Sequence, residues 1–319
     1  MSSRWIIAVV LSVLGVAGCS APGTGVQFLN LIGLAEKPLV IFYVAQRTPN
    51  AGAPLVGIID PFGPSRPLHE TLGKAVKRSV VPDLCFGFQL QSNLDLGVGQ
   101  LALVSPLDYG RLKNREPIRV LAVSTDAAGR AARRGLLIVP AKSDIQKIED
   151  LRGRIVAFGQ PRTPRTHHAA LLLLRDHGLE PGNLSLEILP VPGSLKVFPE
   201  DRDVAKSVMN GSSAAGFIDE MAWEDMPESA AADELARDKF HIVARTDPVA
   251  ERLLLASPKF DDATLARVRE FFLKAGQEHA EALRPLQFSG FVEPDAAILE
   301  NAVKLGLAKA PSESESAKQ

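Results

Sequence analysis

The stretch Arg154–Leu179 (RIVAFGQPRTPRTHHAALLLLRDHGL) predicts a strand that runs through a tight turn into a helix. Arg154–Phe158 is a short apolar run suited to a buried strand. Thr163 offers a side-chain oxygen where the helix begins, and Pro164 follows at the first helical position, where its missing N–H is not needed. Gly178 ends the helix. We take this junction as the element that the rest of the chain supports.

The predicted helix start is a candidate binding site for an anion. The first turn of a helix leaves backbone N–H groups unpaired and carries the positive end of the helix dipole. Arg162 and Arg165 add positive charge beside it, and arginine binds oxyanions through two parallel hydrogen bonds. The alternative is a capped surface helix whose arginines are solvated.

Length and composition indicate a globular chain of one large or two medium domains. It has 319 residues, of which 46% are hydrophobic and 23% charged, as is usual for soluble folds. The net charge is −1, so charge favours neither nucleic acid nor a membrane surface as a partner. We expect no nucleic-acid partner.

The N-terminus predicts export and lipid anchoring. Trp5–Gly18 is an apolar run too short to cross a bilayer comfortably, and it is typical of a signal peptide. It ends in Val16-Ala17-Gly18-Cys19, which resembles a bacterial lipobox and implies cleavage before a lipidated Cys19. We predict a signal peptide over 1–18, a tether over 19–37, and a protein held in the periplasm or on the outer cell-envelope face. An ordinary signal peptide or an anchor helix is the alternative.

Cysteine usage excludes a disulfide framework. The second cysteine, Cys85, lies in an apolar run and is expected to be a core thiol. The sequence contains no Walker A loop and no G-x-G-x-x-G motif, so we expect no cofactor.

Strand and helix patterns alternate along the chain, which predicts an α/β fold with mostly parallel sheets. Leu101–Val104 leads into Ser105 and Pro106 and repeats the strand-to-helix junction, with Asp108 completing a capping arrangement. Further strands are predicted over Pro38–Ala45, Leu55–Asp60, Asp83–Leu90, Ile118–Ser124, Gly135–Val139, Leu184–Val191, Ala214–Asp219 and Phe240–Ala244.

Three stretches resemble the phosphate/phosphonate-type solute-binding proteins of ABC transporters. Ile145–Phe158 (IQKIEDLRGRIVAF) is similar to a helix-to-strand segment of that family. Gly159–Thr166 occupies the place of its ligand loop, and Gln100–Tyr109 resembles a second ligand-bearing junction. The likeness in element order covers roughly residues 54–308.

The resemblance implies an α/β, two-lobe periplasmic-binding-protein-like type II fold with mixed sheets and two hinge crossovers. Ile118–Ser124 and Phe240–Thr246 are the candidate crossovers. The first lobe would comprise 38–124 and 240–308 and the second 125–239, followed by a disordered tail over 309–319.

The resemblance also implies which residues bind the ligand. The family's Ser-Thr-Ser-Gly is replaced here by Thr163-Pro164-Arg165-Thr166, and a family histidine is replaced by Leu195. Arg165 therefore either clamps an anion or fills the pocket. The expected ligand-binding residues are Phe62, Ser105, Tyr109, Thr163, Arg165, Thr166 and Asp219.

Metal binding and catalysis find little support in the sequence. His167 and His168 are adjacent, and neighbouring helical positions point about 100° apart, so both cannot easily bind one ion. No nucleophile elbow occurs, so we expect neither a catalytic nor a metal site and rank an enzyme last.

The leading hypothesis is an extracytoplasmic, lipid-anchored solute-binding protein that captures a small phosphonate- or phosphate-like oxyanion for an ABC permease. The alternative is a sensor or assembly lipoprotein, not involved in transport, that uses a remodelled binding-protein fold.

Overall fold

Two mixed sheets form the framework of the protein, which a computed structural model describes over residues 37–45, 62–187, 194–231 and 234–307. Cys19, the predicted signal peptide, the predicted strand Leu55–Asp60 and the predicted C-terminal tail lie outside the described residues. The strands in chain order are β1 Leu39–Ala45, β2 Val80–Phe86, β3 Leu101–Val104, β4 Arg119–Thr125, β5 Ala132–Arg133, β6 Gly135–Pro140, β7 Val156–Gly159, β8 Lys196–Phe198, β9 Ala215–Asp219, β10 Phe240–Arg245, β11 Val249–Ala250, β12 Leu253–Ala256 and β13 Gly290–Val292.

The helices pack on both faces of the two sheets, as expected for an α/β fold. They are α1 Arg66–Val76, α2 Gly87–Leu96, α3 Pro106–Gly110, α4 Ala170–Asp176, α5 Asp201–Met209, α6 Glu220–Glu224, α7 Asp262–Glu278, α8 Ala280–Leu283 and α9 Ala296–Leu307. A π-helical segment, Pro164–Ala169, precedes α4. Short 3₁₀ segments occur at Gly63–Ser65, Ile148–Leu151, Pro181–Asn183, Arg237–Lys239 and Arg284–Leu286. No described helix is long and apolar enough to cross a membrane.

The larger sheet belongs to the first lobe and has six strands in the order β13-β4-β12-β3-β1-β2. Strands β1, β2 and β3 are parallel, whereas β12 runs antiparallel to both β3 and β4. One face of this sheet packs against α1 and α7 through residues such as Leu72 and Phe272. The other face packs against α2 and α9 through Leu90, Leu94 and Ala302. Cys85 is buried in this second core as a free thiol, as predicted, and burial raises its pKa to about 11.

The second lobe is built on a five-stranded sheet in the order β10-β6-β9-β7-β8. Phe158 and Phe217, on neighbouring strands, stack with ring centroids 5.4 Å apart and are fully buried. Helix α5 covers the opposite face through Val204 and Val208. The four-residue strand β7 therefore ends at a well-packed point, and the loop after it starts from a rigid base.

Two chain crossings join the lobes and pair with each other. Strand β5 lies on the outgoing crossing and β11 on the returning one, and they form a two-stranded antiparallel ladder. This is the two-lobe type II architecture. Strand β10 pairs with β6 in the second sheet, so a boundary at residue 240 would divide that sheet. We therefore propose that the return crossing lies over Thr246–Arg252 and the outgoing one over Asp126–Arg134.

Two predicted strands are wrong in part. Asp83–Leu90 is a strand only to Phe86, because Gln89 accepts a hydrogen bond from the Phe86 N–H at 3.1 Å and α2 begins at Gly87. Within Leu184–Val191, the described residues 184–187 form no strand. The edge strand of this region is instead Lys196–Phe198, which pairs in parallel with β7.

Candidate functional site

The loop that follows β7 is held by its own side chains. A Cβ atom at Gly159 would overlap Thr166 Oγ1 and lie 2.7 Å from Thr163 Oγ1, so only glycine fits there. The Thr166 hydroxyl donates to Thr163 Oγ1 at 2.9 Å, and Thr163 Oγ1 donates to the Gln160 carbonyl at 2.7 Å. The predicted capping role of Thr163 is therefore wrong, because its hydroxyl closes the turn and makes no bond to a helical N–H.

Two buried histidines fix the same loop to the lobe. His167 Nδ1 lies 3.0 Å from the Gly159 carbonyl oxygen, and His168 Nε2 lies 2.7 Å from that of Pro161. Burial lowers both pKa values, that of His167 to about 4, so each ring is a neutral N–H donor to its carbonyl. No group of three potential metal ligands occurs among the described residues.

Arg165 is bound by the protein's own carboxylates. Its Nη1 donates to Asp219 Oδ2 at 2.9 Å and its Nη2 to Glu251 Oε1 at 2.5 Å. Arg133 reaches the same carboxylates, with Nε 2.6 Å from Glu251 Oε1 and Nη1 3.0 Å from Asp219 Oδ1. These four side chains, which we call the hinge cluster, are only 8% to 14% exposed. Both terminal nitrogens of Arg165, the predicted anion clamp, therefore already donate hydrogen bonds to carboxylates of the protein.

Two further carboxylates border the hinge cluster and differ in their ionisation. Burial acts to raise the pKa of Asp126, but hydrogen bonds from Arg130 outweigh it and the pKa is lowered. Burial, together with the nearby charge of Asp219, raises the pKa of Asp201 to about 6. The Asp126 carboxylate is therefore ionised at neutral pH, whereas Asp201 takes up a proton when the pH falls to about 6.

The predicted cap of the second junction is confirmed, and its tyrosine is buried. Ser105 Oγ accepts from the Asp108 N–H at 3.1 Å and donates to Asp108 Oδ2 at 2.6 Å. Tyr109 is 8% exposed and packs in the core with Leu112 and Ala302. Ser105 is also only 8% exposed, but it lines the cavity between the lobes, whereas the Tyr109 ring lies in the core of the first lobe.

Phe62 lies beside a pair of polar residues that sequence reasoning missed. Its ring centroid is 5.8 Å from that of Tyr43, whose hydroxyl lies 2.8 Å from His69 Nε2. Burial raises the pKa of Tyr43 to about 12 and lowers that of His69 to about 4, so the pair is neutral. Phe62 also borders a groove of about 910 Å³ beside α1, and no described residue of the second lobe lines this groove.

A cavity of about 540 Å³ lies between the lobes and is lined by both of the predicted junctions. Arg111 comes from the first lobe and Arg162 from the second; neither side chain has a hydrogen-bond or ion-pair partner within the part of the chain that the structure describes. Phe86 and Phe88 stack with centroids 5.6 Å apart and are 45% and 83% exposed. The other lining residues are Val44, Gly87, Ser105, Leu107, Asp108 and Pro161.

The structure therefore divides the predicted site residues into separate groups. Ser105 lines the interlobe cavity, whereas Arg165 and Asp219 belong to the hinge cluster. Thr163 and Thr166 bind each other, and Phe62 borders the outer groove. Whether any of them binds a ligand stays a prediction.

The solved structures with the same architecture include two solute-bound proteins. XAC2383 from Xanthomonas citri bound to ATP superimposes with a TM-score of 0.61 and 19% identity, over 85% of this chain and 96% of that one. PhnD1 from Prochlorococcus marinus in complex with methylphosphonate gives a TM-score of 0.55 and 14% identity, over 85% and 97%. At these identities the likeness shows the fold alone. No curated protein sequence matches the chain.

The sequence profile of one protein family matches most of the chain. It describes the periplasmic substrate-binding proteins of phosphonate ABC transporters and covers residues 66–299. Those residues include both predicted junctions, the five-stranded sheet, the hinge ladder and every strand of the six-stranded sheet except β1. The predicted resemblance is confirmed: the chain belongs to the family of phosphonate-type periplasmic substrate-binding proteins of ABC transporters.

Proposed function

We propose that this protein is a lipid-anchored, extracytoplasmic solute-binding protein that holds a small phosphonate- or phosphate-like oxyanion between its lobes and delivers it to an ABC permease. A solute-binding role follows from the family. The lipid would be attached to Cys19, and the tether would hold the lobes near the permease.

One observation carries the ligand proposal. Arg111 and Arg162 face the same interlobe cavity from opposite lobes, and neither is neutralised by a carboxylate among the described residues. An oxyanion placed between them would accept hydrogen bonds from both guanidinium groups. Because such a ligand contacts both lobes at once, it would favour the conformation in which they are closed.

The family's ligand loop would then act in a different way in this chain. Thr163, Thr166, His167 and His168 hold the backbone of the loop, and Arg165 ties it to the hinge cluster. We propose that Arg162, at the tip of the loop, makes the ligand contact in place of Arg165.

A thermal-shift screen of a soluble form that starts after Cys19 tests the ligand class. The ligands are methylphosphonate, phosphate, sulfate, nitrate and ATP, the last because a protein of the same fold was solved with it. We expect a concentration-dependent rise in melting temperature with at least one phosphorus oxyanion. The absence of a shift with all five ligands would contradict the proposed ligand class.

Lipid anchoring has a separate test. Metabolic labelling with a radioactive fatty acid, followed by membrane fractionation, should label the wild-type protein and leave Cys19→Ala unlabelled. Equal labelling of the two would contradict the anchor and leave the ligand proposal untouched.

A second candidate function is supported by the hinge cluster. Because Asp219 and Glu251 already occupy the Arg165 fork, the family's usual binding position is filled by the protein itself. This favours a sensor or assembly lipoprotein with a remodelled cleft. A folded protein that responds to no oxyanion would support this candidate.

A further inference from the structure

At the end of the return crossing lies an arginine whose side chain has no hydrogen-bond or ion-pair partner among the described residues. Arg252 follows β11, and its backbone is fixed on both sides by Ser124: the Arg252 N–H donates to Ser124 Oγ at 3.1 Å, and its carbonyl accepts from the Ser124 N–H at 2.9 Å. The guanidinium makes no hydrogen bond or ion pair with any described residue. Burial lowers its pKa, so the protein surroundings disfavour the charged form.

The carboxylates nearest to Arg252 are already engaged. Asp108 Oδ2 accepts a hydrogen bond from Ser105 Oγ at 2.6 Å, and Glu251 Oε1 forms ion pairs with Arg133 and Arg165. Arg165 adds a second positive charge close by, which also lowers the pKa of Arg252. The charges of Asp108 and Glu251 act in the opposite direction and raise the pKa of Arg252, but neither carboxylate accepts a hydrogen bond from it. The guanidinium donors of Arg252 are therefore open to an approaching anion.

The side chain of Arg252 lines a cavity that could admit such an anion. The cavity measures about 310 Å³, and its other walls are Tyr43, Val44, Leu103, Leu286 and Phe288. These walls are mostly apolar, with the Tyr43 hydroxyl engaged by His69. Val44 also lines the interlobe cavity, so the two spaces adjoin.

We propose that Arg252 binds the anionic head of a small organic anion whose apolar body lies against Val44, Leu103 and Phe288. This rests on the proposed solute-binding function and adds a subsite in the first lobe to it. One guanidinium in an apolar cavity suits a phosphonate, sulfonate or carboxylate with an apolar substituent. Inorganic phosphate would leave most of its oxygens without hydrogen-bond donors there, which is costly.

Calorimetry with four probes tests the subsite on the soluble chain: phenylphosphonate, benzenesulfonate, benzoate and inorganic phosphate. We expect phenylphosphonate to bind at least about tenfold more tightly than inorganic phosphate. Arg252→Gln should weaken phenylphosphonate binding by about 10- to 100-fold, as expected when a charged hydrogen-bond donor is lost. Arg154→Gln, at an exposed ion pair with Asp144, is the matched control and should bind as the wild type does.

A second readout separates ligand binding from a structural role. Because Arg252 has no partner among the described residues, Arg252→Gln should melt without ligand at the wild-type temperature or above it. A lower melting temperature without ligand, together with unchanged affinity, would overturn the subsite. A preference for inorganic phosphate would overturn the proposed ligand chemistry.

The outcomes also distinguish this subsite from the proposed function. If Arg162→Gln abolishes phenylphosphonate binding and Arg252→Gln does not, the proposed function stands and the subsite is wrong. If the wild type binds none of the four probes or the screened oxyanions, both are wrong. Benzoate or benzenesulfonate binding that depends on Arg252, without phosphonate binding, would support the subsite and contradict the phosphorus-based function.

Discussion

Arg165, in the loop of the second lobe, donates to Glu251, in the return crossing, across 2.5 Å. The pair ties the family's ligand loop directly to the hinge. A Cβ atom at Gly135, the first residue of β6, would lie 2.7 Å from the Arg165 carbonyl oxygen, so the backbone is held there as well. Arg165 is therefore a structural residue in this conformation, and we expect its loss to affect folding more than binding.

Replacing Arg165 by Gln should lower the free energy of unfolding by roughly 2–4 kcal/mol, because it leaves two partly buried carboxylates with Arg133 alone. Urea denaturation monitored by circular dichroism measures this change. Arg154→Gln, whose ion pair with Asp144 is 46% and 75% exposed, is the control and should cost less than about 1 kcal/mol. Equal stability of the two variants would contradict the structural role of the hinge cluster.

A double-mutant cycle isolates the pair itself. Arg165→Gln and Glu251→Gln should be less destabilising together than the sum of the single changes, with a coupling of about 1–3 kcal/mol. Strict additivity would show that the contact contributes nothing to stability.

Gly159→Ala should destabilise the protein by about 2–4 kcal/mol, because the new methyl group overlaps the Thr166 hydroxyl in a buried turn. Adding Thr166→Ala should recover part of that loss, since it removes the overlapping atoms. Gly182→Ala is the matched control, because a Cβ there meets nothing within 4 Å. A Gly159→Ala variant as stable as Gly182→Ala would contradict the packing described for the loop.

His167 should make the protein sensitive to acid. Its pKa falls from an ordinary value of 6.5 to about 4 on folding, so the unfolded chain binds more protons between these values. The free energy of unfolding should therefore fall as the pH drops from 6.5 to 4, by on the order of 3 kcal/mol from this group. His167→Gln, followed by urea denaturation across this range, should flatten the dependence. A slope in His167→Gln equal to that of the wild type would contradict the assignment.

Local chemistry explains which parts of the fold could be predicted from sequence. Ser105, Pro106 and Asp108 lie within four residues, and their predicted cap is confirmed. The same reasoning failed at Thr163, because Thr166 and the Gln160 carbonyl compete for its hydroxyl. Alternation of apolar residues also did not reveal that the strand stops at Phe86.

The parts of the site that sequence could not predict depend on distant partners. Arg165 and Glu251 are 86 positions apart, and no local pattern indicates that the return crossing supplies a carboxylate to the ligand loop. The Tyr43–His69 contact likewise joins a strand end to a helix face. Arg111 and Arg252 carry no motif; only their shared lack of a partner among the described residues marks them.

Asp201 should reduce stability as the pH rises. Its pKa rises from an ordinary 3.8 to about 6, so the folded protein binds more protons between these values and loses stability as the carboxyl ionises. Asp201→Asn should therefore be more stable than the wild type at pH 7.5, by roughly 1–3 kcal/mol, and similar to it at pH 4. Asp203→Asn, in the same first helical turn, is the control for helix effects. A destabilised Asp201→Asn at pH 7.5 would contradict the burial of this carboxyl.

Calorimetric titration of the soluble chain with methylphosphonate tests the central claim most directly, namely that an oxyanion is held between arginines of opposite lobes. We predict one-to-one binding that Arg111→Gln and Arg162→Gln each weaken by about tenfold or more, while Arg154→Gln leaves it unchanged. The absence of binding to the folded protein, or affinity that neither cavity arginine alters, would contradict the account.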